Sequence, residues 1–299
     1  QKIGSYVLNK NDEALDELSR CIQYDPSNLE FKKAYSSFAI EKGKVTALYR
    51  LVQWAKQRDS RDGYAVLFAS NYYFAINKTE EMKKELLIAI QDPRVDFQDK
   101  LQVILSSLDN PNIDDTFINQ LFESLKDLHN DKAETYNIIG LYYQSKNMLD
   151  SSIYNFKKAL MLDSTNDATY RNLILAYQSK NEYDSMLFYS NKALSFYPDI
   201  AEFFFYGGYA AFMIKDYNQC IHLLNNALNF LTSKNKNLTN IINELLANAY
   251  YETGQYNEAF DYFEKSIKAN PTNATLKNNY AYFLAQQDTL LDKSLNLID

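Results

Sequence analysis

A recurring step of about 34 residues is the sequence feature that most constrains the fold. Ala159, Ala193 and Ala227 follow one another at this step, and each precedes a leucine. Gly140 and Gly208 are separated by two such steps. Two further sets keep the step: Tyr136, Tyr170 and Phe204, and Leu149, Tyr183 and Tyr217. Small and bulky residues that recur at this period predict stacked pairs of antiparallel helices, because helices approach closely only where one side is small.

The period extends over the whole chain. We predict about nine helix pairs in one continuous solenoid without a domain boundary. The predicted repeats are 1–28 (partial), 29–62, 63–96, 97–132 (divergent), 133–166, 167–200, 201–239, 240–273 and 274–299 (partial). The first repeat is expected to lack most of its first helix, and the last to start near Ala274 and stop inside its second helix.

Two segments depart from the pattern. In 97–132 the residues predict a helix over Phe97–Leu108, a break at Asn110–Pro111, and a helix over Asp114–Leu128, because proline cannot continue helical hydrogen bonding. The step from Ala227 to Ser266 is five positions longer than the usual one. We therefore expect the polar run Ser233–Asn240 to form a longer loop.

The segment Asn240–Pro271 carries the fullest motif, with Ala247, Tyr250, Gly254 and Ala259 in order. These residues, with the period, resemble the tetratricopeptide repeat (TPR), a helix–turn–helix unit. The resemblance implies an all-α fold, a right-handed superhelical solenoid of antiparallel helix hairpins whose first helices line a concave groove. It also implies a non-catalytic protein that binds a protein or peptide partner.

The TPR register implies which side chains face the groove. They are Arg171, Asn172, Gln178, Phe205, Tyr209, Phe212, Asn248, Tyr251, Asn278 and Tyr282, with Lys33, Ser37, Leu67, Asn71 and Phe74 in the N-terminal half. Aromatic rings give contact area at small entropy loss, and amides pair with an extended backbone, so the set suits a protein segment. The alternative is that some of these rings pack against neighbouring repeats.

Composition excludes several other functions. The net charge of -7 argues against general nucleic-acid binding, which needs a basic surface. The chain has only two Cys and two His, too few for a Cys/His metal site, so we expect no metal and no cofactor. Cys21 and Cys220 occupy small-residue slots and are interpreted as packing residues. No phosphate-binding glycine loop or nucleophile motif occurs, so we expect no enzyme activity. No apolar run approaches the ~18 residues of a membrane span, so we expect no direct membrane insertion within this chain.

Three functions are therefore considered. The first is a scaffold or adaptor that binds a protein segment in the concave groove. The second is an architectural subunit of a larger secretion or motility assembly, contacting partners through edges and the convex face. The third is a regulatory repeat region of a larger enzyme. Asp92–Asp96, Lys100–Leu105 and Asn278–Tyr282 resemble envelope TPR proteins of Bacteroidetes-type bacteria, which implies a periplasmic or lipid-anchored protein, with the cytoplasm as the alternative.

Overall fold

The computed structural model describes residues 2–58, 62–232 and 234–286. These residues form sixteen α-helices and no strand. The helices are α1 Lys2–Tyr24, α2 Leu29–Glu41, α3 Val45–Arg58, α4 Gly63–Ala75, α5 Thr79–Gln91, α6 Phe97–Leu108, α7 Asp115–His129, α8 Ala133–Ser145, α9 Leu149–Leu162, α10 Asp167–Ser179, α11 Tyr183–Leu194, α12 Ala201–Met213, α13 Tyr217–Phe230, α14 Lys236–Glu252, α15 Tyr256–Ala269 and α16 Ala274–Gln286. The fold is all-α, built from tandem helical hairpins as predicted.

A left-handed residue closes the first helix of six hairpins. The six residues have φ between 56° and 75° and are Gly43, Asn77, Asn147, Asn181, Lys215 and Gly254. In each case the next residue's N–H donates to a carbonyl five residues earlier at 2.8–3.0 Å. This is the Schellman arrangement, which satisfies the last carbonyls of a helix and reverses the chain into the next one. Glycine and asparagine tolerate this conformation best, so the recurring turn explains their spacing.

Small residues allow the two helices of a hairpin to approach closely. A Cβ added to Gly208 of α12 would lie 2.5 Å from Leu224 Cδ2 of α13. A Cβ added to Gly140 of α8 would lie 2.6 Å from the Phe156 ring. A packed methyl group needs roughly 3.5–4.0 Å, so these contacts exist only because glycine stands there.

The chain divides into two compact units, Gln1–Thr135 (unit 1) and Tyr136–Asp299 (unit 2). The largest fully buried side chains of unit 1 include Tyr35, Lys100 and Phe122. Those of unit 2 include Tyr170 and Phe203. The single continuous solenoid stays a prediction.

The divergent repeat confirms the predicted helices and break. Helix α6 spans Phe97–Leu108, and α7 begins at Asp115 with Asp114 as its N-cap, accepting from the Phe117 N–H. Residues 109–113 form the predicted break between them.

The prediction of a loop over Ser233–Asn240 is wrong for residues 236–240, and Ser233 lies outside the described residues. Helix α14 begins at Lys236, so most of the inserted residues extend this helix at its N-terminus and only residues 231–235 separate it from α13. Residues 236–240 include no Gly or Pro, and nothing in them interrupts helical hydrogen bonding. Helix α1 runs unbroken from Lys2 to Tyr24, so the residues before Ala14 extend that helix and form no separate hairpin partner. Helix α16 begins at Ala274 as predicted, whereas the predicted end of its repeat lies outside the described residues.

Candidate protein-binding surfaces

Helix α12 of unit 2 carries three of the predicted groove aromatics, Phe205, Tyr209 and Phe212, and all three are half-buried. The Tyr209 ring meets Tyr183 edge-on at 6.1 Å between centroids and lies 6.4 Å from Phe205. Phe212 meets Tyr217 edge-on at 5.7 Å. Each ring is therefore held in place by another ring of the same unit while part of its surface stays accessible, and contacts of this geometry are favourable.

Tyr251 and Tyr282 belong to a second cluster at α14 and α16. The Tyr251 ring stacks on Phe283 at 3.7 Å, and its hydroxyl donates to Gln286 Oε1 at 2.7 Å. Gln286 Nε2 donates in turn to the Tyr282 hydroxyl at 2.6 Å. The structure thus joins the two predicted tyrosines through one glutamine, and Tyr282 remains exposed.

Arg171 has intramolecular partners. Its guanidinium pairs with Asp167 at 3.1 Å and with Glu202 of the next repeat, and lies 4.9 Å from the centre of the Phe203 ring. A partner's carboxylate would have to compete with both of these acidic groups. The pair with Glu202 joins two successive repeats, whereas the pair with Asp167 lies within α10.

The predicted amides are dispersed. Asn172 and Gln178 lie half-buried on α10, and Asn278 is exposed on α16. The Asn248 side chain donates to the Glu244 carbonyl at 2.7 Å within α14. The ten predicted residues of unit 2 therefore form separate groups: the α12 rings, the α14–α16 cluster, the Arg171 network and single amides.

Unit 1 contains a cavity of about 810 Å³. All five groove residues predicted for the N-terminal half line it: Lys33, Ser37, Leu67, Asn71 and Phe74. Helices α2, α4, α5 and α6 form its walls, with residues 109–113 also in the lining. A cavity of this size, apolar with convergent amide and hydroxyl groups, is typical of a ligand-binding site.

A hydrogen-bonded network links the three helices beside this cavity. Lys33 Nζ pairs with Asp99 Oδ2 at 2.7 Å and lies 3.8 Å from Asp96. The Tyr64 hydroxyl donates to Asp99 at 2.6 Å. Desolvation, then the bond to Asp99, raises the pKa of Tyr64 far above its ordinary value. Partial burial disfavours the charged form of Lys33, but the interactions with Asp99 and Glu30 together outweigh this effect, so the pKa of Lys33 is raised. The network fixes α2, α4 and α6 relative to one another.

Residues 133–166 and 242–273 each match the tetratricopeptide repeat family. The chain contains tetratricopeptide repeats. None of the curated proteins matches it.

Two solved TPR structures share the fold, and a third solved structure, MamA, is similar to part of the chain. The C-terminal part of a TPR repeat-containing protein from Cytophaga hutchinsonii is 16% identical, with a TM-score of 0.57, over 81% of this chain and 97% of that one. YrrB, described as a TPR protein with an unusual peptide-binding site, is 20% identical, with a TM-score of 0.50, over 59% of this chain and 91% of that one. MamA is 21% identical, with a TM-score of 0.49, over 54% and 90%.

A buried lysine in the divergent repeat 97–132 was not predicted. Lys100 is completely buried, and its Nζ lies 3.3 Å from His129 Nε2, whose ring packs on Phe97 at 4.8 Å. Burial lowers the pKa of Lys100, and burial together with the Lys100 charge lowers the pKa of His129. A signal existed in the sequence: Lys100 lies one repeat step after Val66, at a bulky core position of the repeat.

Other chemistry is limited in the described part of the chain. Cys220 is buried, as its packing interpretation requires, and burial raises the pKa of its thiol to about 12. A thiol with so high a pKa is almost wholly protonated at neutral pH and therefore a poor nucleophile. Over residues 2–58, 62–232 and 234–286, no cluster of three or more His, Cys, Asp or Glu could hold a metal ion. Within the same ranges, no helix is both long and apolar enough to cross a membrane.

Proposed function

We propose that this protein is a non-catalytic interaction scaffold that binds a segment of another protein in the unit 1 cavity. The single observation that carries the proposal is that this cavity is lined by the side chains that the TPR register assigns to the groove. Leu67 and Phe74 offer apolar contact, and Asn71 offers an amide donor and acceptor for an extended backbone. TPR proteins are generally scaffolds, which agrees with this proposal.

The half-exposed rings of α12 extend the proposal to unit 2. Phe205, Tyr209 and Phe212 are held by neighbouring rings, so a partner would lose little of its binding free energy to ordering them. Arg171 would take part only if an acidic partner group displaced Asp167 or Glu202.

The experiment is a co-purification from the native organism with partners identified by mass spectrometry. Phe74→Ala removes an apolar side chain that lines the cavity, and Tyr49→Ala is a matched control. The two side chains are 48% and 49% exposed, but Tyr49 does not line the cavity. Selective loss of one partner with Phe74→Ala supports the proposal. Retention of every partner by a folded Phe74→Ala variant refutes it.

A second candidate function is architectural, as part of a multi-subunit assembly, and one observation favours it. Large apolar side chains are exposed at equivalent positions in the second helices of unit 2 or directly after them. Tyr154 and Phe188 lie one repeat step apart and are 59% and 60% exposed. Leu162, Phe196 and Phe230 keep the same step and are also exposed. Exposed apolar residues in such a register suit a permanent protein contact. Loss of an assembly with Tyr154→Ser and Phe188→Ser, but not with Phe74→Ala, would favour this function.

The compartment is a separate proposal. The resemblance of Asp92–Asp96, Lys100–Leu105 and Asn278–Tyr282 to envelope TPR proteins supports a periplasm-facing, lipid-anchored location. Cell fractionation tests this location. A second test is whether an added protease digests the protein in intact cells and in spheroplasts. Detection of the chain only in the cytosolic fraction would refute this location.

The third function, a regulatory repeat region of a larger enzyme, would be favoured by a catalytic domain in the same polypeptide.

A further inference from the structure

Acidic groups outnumber basic groups around the unit 1 cavity. Four charged side chains line it: Lys33, Glu41, Asp99 and Asp109. Lys33 is paired with Asp99 at 2.7 Å, so these two charges compensate each other. Glu41 contacts Lys42, its neighbour in sequence, at 2.5 Å. The four lining side chains carry one positive and three negative charges, and their lysine is engaged. Lys42, which does not line the cavity, offsets Glu41, so a cationic group of a partner would compete with Lys42 for that carboxylate.

The two acidic residues that Lys33 does not neutralise lie where helices end. Glu41 is the last residue of α2 and Asp109 follows the last residue of α6. Helix α4 ends at Ala75, and Phe74 and Asn77, which lie on either side of this helix end in the sequence, line the same cavity. Each helix C-terminus carries roughly half a negative charge, which favours a cation and adds to the two carboxylates.

Apolar side chains accompany these helix ends. Ile40 and Phe74 are large, exposed and in the cavity lining. Pro111 and Ile113, from the segment that follows α6, line it as well. Lysine and arginine pack their methylene stems on apolar surface while their charged ends reach acidic groups. An arginine can also lie over an aromatic face such as that of Phe74.

We propose that the unit 1 cavity selects a basic protein segment, in which a Lys or Arg stem packs on Ile40 and Phe74 and its charge pairs with Glu41 and Asp109. This proposal rests on the proposed function, since it names the kind of segment that the cavity takes. An acidic segment is disfavoured there because it would face two carboxylates and the negative ends of three helices. Lys33 offers such a segment no compensation while it is bound to Asp99.

The test uses the full chain and an array of degenerate nonamer peptides, each with one fixed central residue. Bound protein is measured at 150 mM salt, where long-range attraction to a chain of net charge -7 is screened. We expect peptides with central Arg or Lys to retain the chain, and those with Asp or Glu not to retain it. Fluorescence anisotropy then gives Kd for one arginine-containing peptide.

Two double variants with equal changes in net charge separate the cavity from general electrostatics. Glu41→Gln with Asp109→Asn removes the acids of the cavity. Glu123→Gln with Asp127→Asn removes two exposed acids of α7 that do not line it. We expect the first pair to raise Kd about tenfold and the second less than about threefold, since each surface ion pair contributes modestly.

Phe74→Ala distinguishes failure of this proposal from failure of the proposed function. If Phe74→Ala weakens binding but the Glu41/Asp109 pair does not, or if acidic peptides bind best, the cavity binds a segment and its preference for a basic one is refuted. If peptides bind and neither change affects them, the cavity is not the site and both proposals fail. If no peptide retains the folded chain, both fail as well.

Discussion

Replacing Gly208 by alanine tests the packing that defines the repeat. The new Cβ would lie 2.5 Å from Leu224 Cδ2 and 2.6 Å from Leu224 Cγ, and Leu224 is completely buried. One of the two must move by about 1 Å, and such overpacking costs about 3 kcal/mol at the upper end of its usual range. Alanine regains about 1 kcal/mol of helix propensity over glycine. We expect a net loss of about 2 kcal/mol in the free energy of unfolding.

Gly207→Ala is the matched control, since it lies in the same helix and regains the same propensity. Its Cβ would meet Leu223 Cδ1 at 3.1 Å, the movable end of a side chain. We expect its stability to stay close to that of the unchanged chain. The two variants should differ in Tm by about 4–8 °C, measured by circular dichroism at 222 nm. If the chain unfolds in more than one step, both variants are affected in the same way, because Gly207 and Gly208 are neighbours in α12.

Leu224→Ala provides the second check, because it removes the two atoms that the new Cβ would meet. Alone it should cost about 2–5 kcal/mol as a cavity in the core. Combined with Gly208→Ala it should cost less than the sum, by about 1–2 kcal/mol, because the clash is gone. Equal Tm values for the two glycine variants, or strict additivity with Leu224→Ala, would refute the reasoning.

Three further predictions concern stability. Lys215 and Gly254 both have a left-handed backbone conformation, with φ of 64° and 75°, which glycine adopts more easily than other residues. In thermal unfolding, Lys215→Gly should therefore raise the free energy of unfolding by about 1 kcal/mol, and Gly254→Ala should lower it by a similar amount. Ser266→Ala should raise it by about 1 kcal/mol in urea unfolding, because the buried hydroxyl makes no hydrogen bond. Burial and Lys100 lower the pKa of His129 below 6.5 in the folded chain, so as the pH falls through 6.5 the unfolded chain binds the proton first and stability decreases. Urea unfolding at pH 5.5 and 7.5 should show this decrease, and His129→Gln should reduce it.

The sequence predicts the hairpins well because their determinants are local and periodic. Small residues such as Gly140 and Gly208 fix where helices touch, and Asn147 or Gly254 fix where the chain reverses. These constraints act within one repeat and need no knowledge of the rest of the chain. The loop at Ser233–Asn240 was predicted wrongly because polar composition alone does not stop a helix.

The groove side chains are less predictable because their partners come from other repeats. The register places Tyr251 on the first helix of its repeat, but Phe283, on which its ring stacks, comes from the next. Likewise Asp167 lies one helical turn before Arg171 and could be expected as a partner, whereas Glu202 belongs to the following repeat. A position in the motif gives a face of a helix, and the contacts across that face decide which atoms remain accessible.

The weak motif of residues 97–132 and the cavity of unit 1 have a common origin. Tyr73 of α4 has its equivalent in Ser107 of α6, which lines the cavity. A small hydroxyl therefore stands where Tyr73, Tyr143, Tyr177 and Tyr250 place a ring, although Ala39 and Ala211 show that two other repeats also carry a small residue there. The connection after α6 also lacks the left-handed turn of the other hairpins in the described chain, and its residues Pro111 and Ile113 form part of the cavity wall. A tyrosine at this position, as in four of the other repeats, would put a phenol ring where Ser107 lines the space, and a left-handed turn would replace the present connection after α6. The departures from the motif are therefore what leave room for a partner, and the least repeat-like segment of the chain is the one where binding is expected.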